Sequence, residues 1–127
     1  MARILSLLLA TLAVLTGCGG SSMQQNSYQQ ISQQTAKQMM DEEQVLILDV
    51  REQEEYDSGH IPGAVLLPVG SIDGESAAAV IPQKDTTVLV YCRSGNRSKQ
   101  ASAALAELGY TAIYEFGGIT TWPYEIE

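Results

Sequence analysis

The chain is poor in the residues that build metal sites and nucleic-acid surfaces. Among 127 residues it has one histidine, two cysteines and only seven lysines and arginines. One histidine with so few thiols makes no credible metal-ligand set. Seven cations against fifteen acids leave a formal net charge of −8, which argues against nucleic-acid binding and against nonspecific attraction to anionic lipid. The apolar stretch Ile4 to Leu15 falls short of the ~20 residues a membrane span needs. What remains is ordinary for a globular protein: 45% hydrophobic and 17% charged residues, at a length that suits one domain with a single core.

The N-terminus has the form of a targeting segment. Met1-Ala2-Arg3 is a short positive region, followed by the apolar stretch to Leu15. Leu15-Thr16-Gly17-Cys18 then resembles a bacterial lipobox. The resemblance implies a lipoprotein signal peptide over residues 1–17, cleaved before Cys18, with lipid attached to Cys18. The mature protein would then be extracytoplasmic and touch the membrane only through its anchor. Gly19 stands where an aspartate commonly retains such proteins at the inner membrane, which points to the outer membrane where the organism has one. Residues 18–27, rich in Gly, Ser and Gln, are expected to be a flexible tether, and residues 28–127 the folded domain. With Cys18 lipidated, Cys92 is the one remaining thiol and no internal disulfide forms, although the compartment is oxidising.

Within the domain, strand and helix patterns alternate. Tyr28–Ile31 reads as a first strand, and Ser32 as the cap of a helix over Gln33–Asp41 with Ala36, Met39 and Met40 inward. The run Val45–Val50, apolar except Asp49, suits a central strand buried on both faces. Glu52–Tyr56 reads as a helical turn, Ser58–Gly63 as a loop and Ala64–Leu67 as a short strand ended by Pro68. Val69–Glu75 reads as irregular, and Glu75–Ile81 as a helix closed by Pro82. Thr86–Tyr91 is the next strand, Arg97–Leu108 an alanine-rich helix with Gly109 as its C-cap signal, and Thr111–Phe116 a further strand. Gly117-Gly118 reads as a turn and Ile119–Tyr124 as a short final helix. The alternation predicts an α/β fold with a mostly parallel sheet.

The chemistry concentrates in Cys92-Arg93-Ser94-Gly95-Asn96-Arg97-Ser98. A thiol ends a buried strand, a Gly-containing loop follows, and a helix begins. Backbone N–H groups in such a loop converge into an anion nest, with Gly95 supplying angles that other residues avoid. The helix N-terminus adds partial positive charge, and Arg93 and Arg97 add full charges. Such a cradle stabilises a thiolate, and equally a persulfide anion formed on it.

These residues resemble the rhodanese (sulfurtransferase) family. Leu48-Asp49-Val50-Arg51-Glu52 with Tyr56 and Gly59-His60-Ile61-Pro62-Gly63-Ala64 is similar to its N-terminal signature. Tyr91 to Ser98 is similar to its active-site loop, and Gly109-Tyr110 with Gly117-Gly118 and Trp122 to its C-terminal signature. The resemblance implies a doubly wound sheet of about five strands flanked by helices. It implies a Cys92 persulfide that carries sulfur from a small anionic donor such as thiosulfate to a thiophilic acceptor such as cyanide or a thiol, without a cofactor. Arg93, Ser94, Gly95, Asn96 and Arg97 would bind the substrate. Four residues lie between Cys92 and Arg97, one fewer than in related phosphatases on this fold. A phosphoryl group brings three equatorial oxygens that need donors, so the smaller cradle favours sulfur.

Other readings stay open. The domain could be a sulfur carrier or thiol-binding module that holds sulfur on Cys92 without turnover. A thiol redox role would need an external partner thiol. Asp49 is expected to accept loop N–H groups or to pair with Arg51, as structural support rather than catalysis. His60 lies in a shaped turn and is not expected to be a base. Trp122 is expected to pack under the C-terminal turn.

Overall fold

A computed structural model describes residues 27–127. The expected signal peptide, Cys18 and nearly all of the tether lie outside the described residues. The elements are β1 (Gln29–Gln30), α1 (Gln33–Glu42), β2 (Leu46–Asp49), α2 (Gln53–Ser58), β3 (Val65–Leu66), α3 (Gly74–Val80), β4 (Val88–Cys92), α4 (Asn96–Glu107) and β5 (Ile113–Gly118). Single 3₁₀ turns cover Val69–Ser71 and Ile119–Thr121. The strands form one parallel sheet in the order β1-β5-β4-β2-β3, as an α/β chain with helical crossovers requires.

β4 lies at the centre, and all five of its residues are buried. Its pleat sends alternate side chains to opposite faces. Val88, Val90 and Cys92 join Leu48, Val50 and Ile113 under α3 and α4, whose Ala77, Ala101 and Leu105 are buried there. Leu89 and Tyr91 face the other way, with Ile47, Phe116 and Ala36 of α1. Met39 and Met40 pack on that second cluster, on the inner face of α1 as expected. Ser32 caps α1, its side chain accepting the Thr35 N–H at 3.0 Å.

Two elements differ from expectation. Gly117 and Gly118 are not a turn but the end of β5. The register advances from Val90 opposite Glu115 to Cys92 opposite Gly118, so β5 carries one extra residue, a bulge, with Gly117 at φ +93°. The expected final helix Ile119–Tyr124 is only the 3₁₀ turn Ile119–Thr121. Aromatic packing accounts for the chain beyond it, with the Trp122 ring 5.4 Å from Phe116 and 4.9 Å from Tyr124. A smaller shift is at Val69–Glu75, where α3 begins one residue early because Asp73 and Ser76 form a reciprocal cap.

Candidate active site

Cys92 is the last residue of β4, directed to the α4 side by the pleat. Gly95 turns the chain at φ +112°, a left-handed angle that glycine takes without a Cβ penalty, and caps α4. The turn aims the Gly95 N–H at the Cys92 sulfur, 3.0 Å away. The thiol therefore sits at the mouth of a 12-residue helix, under its positive end and against a backbone donor. Cys92 is only 1% exposed. Arg93, Ser94 and Asn96 are exposed around it, while Gly95 and Ser98 are buried. The substrate-loop residues expected from the sequence are thus gathered at one end of β4.

The two loop arginines differ. The Arg93 backbone carbonyl accepts from the Thr120 N–H at 3.2 Å and the Thr120 hydroxyl at 3.1 Å, which pins the loop to the turn after β5. Arg97 is half-buried in a two-point pair with Glu55 of α2, at 2.8 and 3.0 Å. Hydrogen bonding to Glu55, against the cost of burial, raises the Arg97 guanidinium above its ordinary range. In return Arg97, then the Glu52 backbone N–H, lowers the Glu55 carboxyl from 4.5 to about 2. A lowered carboxyl stabilises the fold above its unfolded value and loses that contribution as it protonates. Thermal stability should therefore fall between pH 4.5 and about 2, and Glu55→Gln should fall less steeply over that window in melting curves.

Asp49 and Arg51 support the cradle from the opposite face. Asp49 is fully buried, and its carboxylate accepts the Arg51 backbone N–H at 2.9 Å and the guanidinium at 2.7 to 3.1 Å. Burial is the largest single influence and opposes the Arg51 charge, but the hydrogen bonds and charge of Asp49, with Tyr91, together outweigh it and raise Arg51. Arg51 also donates to the Gly59 carbonyl at 2.7 Å, tying the strand end to the 58–63 loop. The Tyr91 hydroxyl donates to Asp49 at 2.5 Å and accepts the Ile61 N–H at 3.1 Å. Burial and then Asp49 raise the Tyr91 phenol well above its usual range. Asp49 thus holds Arg51 at both its guanidinium and its backbone N–H. His60 stacks on Tyr56 at 3.8 Å and contacts its carbonyl at 2.9 Å. Its other ring nitrogen lies 3.5 Å from a Glu127 carboxylate oxygen.

Sequence reasoning missed four contributors: Ser98 as a contact of the sulfur, Glu55, Gly118 and Glu115. The Cys92 sulfur lies 3.4 Å from the Ser98 hydroxyl, which lies 2.5 Å from a carboxylate oxygen of buried Glu115. A signal for Glu115 existed. In Ile113-Tyr114-Glu115-Phe116 it is a lone acid sharing the inward face of Ile113. Glu55 gave none, because its partner is 42 residues away.

Residues 32–124 match the model of the rhodanese-like domain. The chain is 40% identical over 72 residues to thiosulfate sulfurtransferase PspE of Escherichia coli, covering 57% of this chain and 68% of that one. It is 34% identical over 96 residues to thiosulfate sulfurtransferase GlpE of Coxiella burnetii, covering 75% and 87%. The fold superposes on a rhodanese with anions from E. coli with a TM-score of 0.61 and 34% identity, over 66% of this chain and 98% of that one. Family, fold and cradle agree: this chain belongs to the rhodanese-like domain family and is an enzyme of the sulfurtransferase type.

Proposed function

We propose that the protein transfers sulfane sulfur from thiosulfate to a thiophilic acceptor, cyanide or a thiol, through a persulfide on Cys92. The Cys92 thiolate attacks the outer sulfur of thiosulfate, the S–S bond breaks, and its electron pair leaves with sulfite. The negative charge now rests on the outer persulfide sulfur. The acceptor attacks that sulfur, and the pair of the second broken S–S bond returns to Cys92 as thiolate. The observation that carries this reading is the Gly95 N–H on the Cys92 sulfur at the head of α4. A fixed donor there stabilises anionic sulfur without reorganising. Exposed Arg93 draws the anionic donor in against the overall charge of −8. Arg97, held by Glu55, adds a fixed positive charge beside the loop.

The test is thiocyanate formation from thiosulfate and cyanide by the purified domain. Cys92→Ala is expected to abolish it, at least 10³-fold, with the fold intact by circular dichroism. Full retention in that variant sinks the reading. A stable gain of one sulfur atom with no thiocyanate formed would instead favour a carrier without turnover. The same intact-mass measurement, on protein from its host, reads the N-terminus. We propose cleavage before Cys18 and a lipid on Cys18, which would hold the domain outside the cytoplasm. An unmodified Cys18 in that spectrum counts against the anchor.

A further inference from the structure

Glu115 is a buried carboxylate that the transfer just described leaves unused. It is 2% exposed, and none of the ion pairs among the described residues includes it. The β5 pleat puts it on the Cys92 face, opposite Val90 in the register. Three donors converge on it. The Ser98 hydroxyl at 2.5 Å and the Gly117 N–H at 3.0 Å meet one oxygen, and the Gln30 amide at 3.2 Å meets the other. A carboxyl group met only by donors is placed as an ionised acceptor.

Ser98 has one proton to give. The Gly95 and Gly117 carbonyls are within reach at 3.0 and 3.4 Å, but the shortest contact is to the carboxylate. A charged acceptor at that distance takes the proton. The Ser98 oxygen then accepts from the Cys92 thiol at 3.4 Å. A continuous path S–H···O–H···O⁻ thus joins two buried ionisable groups. Two anions so close in a buried site cannot both ionise cheaply. Among the described residues, no ion pair places a cation on either group. From α4, Arg97 acts on Cys92 but is tied to Glu55, and exposed Lys99 lines the same surface groove as Glu115. From β1, Gln30 is neutral. On β2, Asp49 belongs to the opposite face, held by Arg51 and Tyr91.

We propose that Glu115 is a positioning residue that takes up the Cys92 proton through Ser98, so that the site carries one negative charge at a time. The proposal rests on Cys92 being the sulfur-carrying nucleophile. The S–H bond breaks and its proton passes to the Ser98 oxygen, while the original Ser98 proton passes to Glu115. The products are a thiolate, a neutral serine and a neutral carboxylic acid. The hydrogen bonds now run in reverse, with Glu115 donating to Ser98 and Ser98 to sulfur. The proton stays on Glu115 while sulfur is anionic, through persulfide formation and discharge. It returns when the thiol reprotonates.

Infrared difference spectra before and after thiosulfate loading at neutral pH test this directly, with intact mass confirming one added sulfur. Loaded wild-type protein is expected to gain a protonated-carboxyl stretch that Glu115→Gln lacks. Added sulfur without that band overturns the proposal. A second readout needs no sulfur transfer: the rate at which iodoacetamide alkylates unloaded Cys92 as a function of pH. Without the competing charge, the rise in Glu115→Gln should move to lower pH by about one unit or more. An unmoved curve, or a shift to higher pH, overturns the pairing. Glu115→Leu, which suits an apolar face, carries the same expectation should the glutamine variant fold poorly. A shifted curve in a protein that takes no sulfur from thiosulfate keeps the pairing and places the failure on the transfer reading.

Discussion

Gly118→Ala should cost the protein its cysteine cradle while leaving the sheet core in place. A Cβ at Gly118 would overlap the carbonyl carbon and oxygen of Arg93 and the nitrogen of Ser94. Those atoms are backbone and have no rotamer to yield. Thr120 also fixes the Arg93 carbonyl, so the loop cannot slide along β5 without breaking two hydrogen bonds. The loop must therefore lift away, taking the Gly95 N–H off the sulfur. Misplacement of a catalytic group by ~1 Å costs on the order of 10²-fold in rate, and that is the expected loss in sulfur transfer. Overpacking against the rigid backbone should remove about 1–3 kcal/mol of stability in urea unfolding. Gly117→Ala is the control. Its added methyl meets only the Gln33 side chain, at 3.4 Å, so the cost is the left-handed backbone at φ +93°, about 1–2 kcal/mol. A Gly118→Ala protein as active as wild type would mean that the loop does not depend on close contact with β5.

Asp49→Ala should be the most destabilising single change near the site. Asp49 is wholly buried, and Arg51 beneath it is only 5% exposed. Removing the acid strands a guanidinium in the interior and leaves the Tyr91 hydroxyl without its acceptor. Breaking a buried pair from one side costs about 3–5 kcal/mol. Removing both partners leaves no orphaned charge, so Asp49→Ala/Arg51→Leu should recover part of that loss. The functional effect follows from position. Tyr91 opposes Asp49 in the β2–β4 register, and the next residue is Cys92. Loosening Tyr91 on one face of β4 loosens the thiol on the other. Urea unfolding of the single and double variants measures the first effect, and sulfur transfer above the folding threshold measures the second. A single variant no less stable than the double would show that the pair does not act as one unit.

Both predictions depend on contacts between residues distant in the chain, and that marks how far the sequence could be read. The order of elements was legible, because Val45–Val50, Thr86–Tyr91 and the alanine-rich run after Arg97 declare themselves by local periodicity. Glycine and proline punctuate them. The cradle at Cys92 was legible for the same reason: strand, glycine and helix start lie within one short segment. Gly117-Gly118 was misread because a glycine pair signals a turn locally. Only the neighbouring strand shows that Gly117 absorbs a bulge and Gly118 makes room for the Arg93 carbonyl.

The sequence by itself determined the parallel α/β order, the thiol at the strand end and the loop with its four residues between Cys92 and Arg97. Each is a consequence of neighbours along the chain. The tertiary structure alone decided that Arg97 is held by Glu55, that Asp49 braces Tyr91, and that Glu115 lies behind Ser98. These are pairings across strands and helices. A side chain's charge says that it needs a partner or water once buried, but only the folded sheet says which partner it meets.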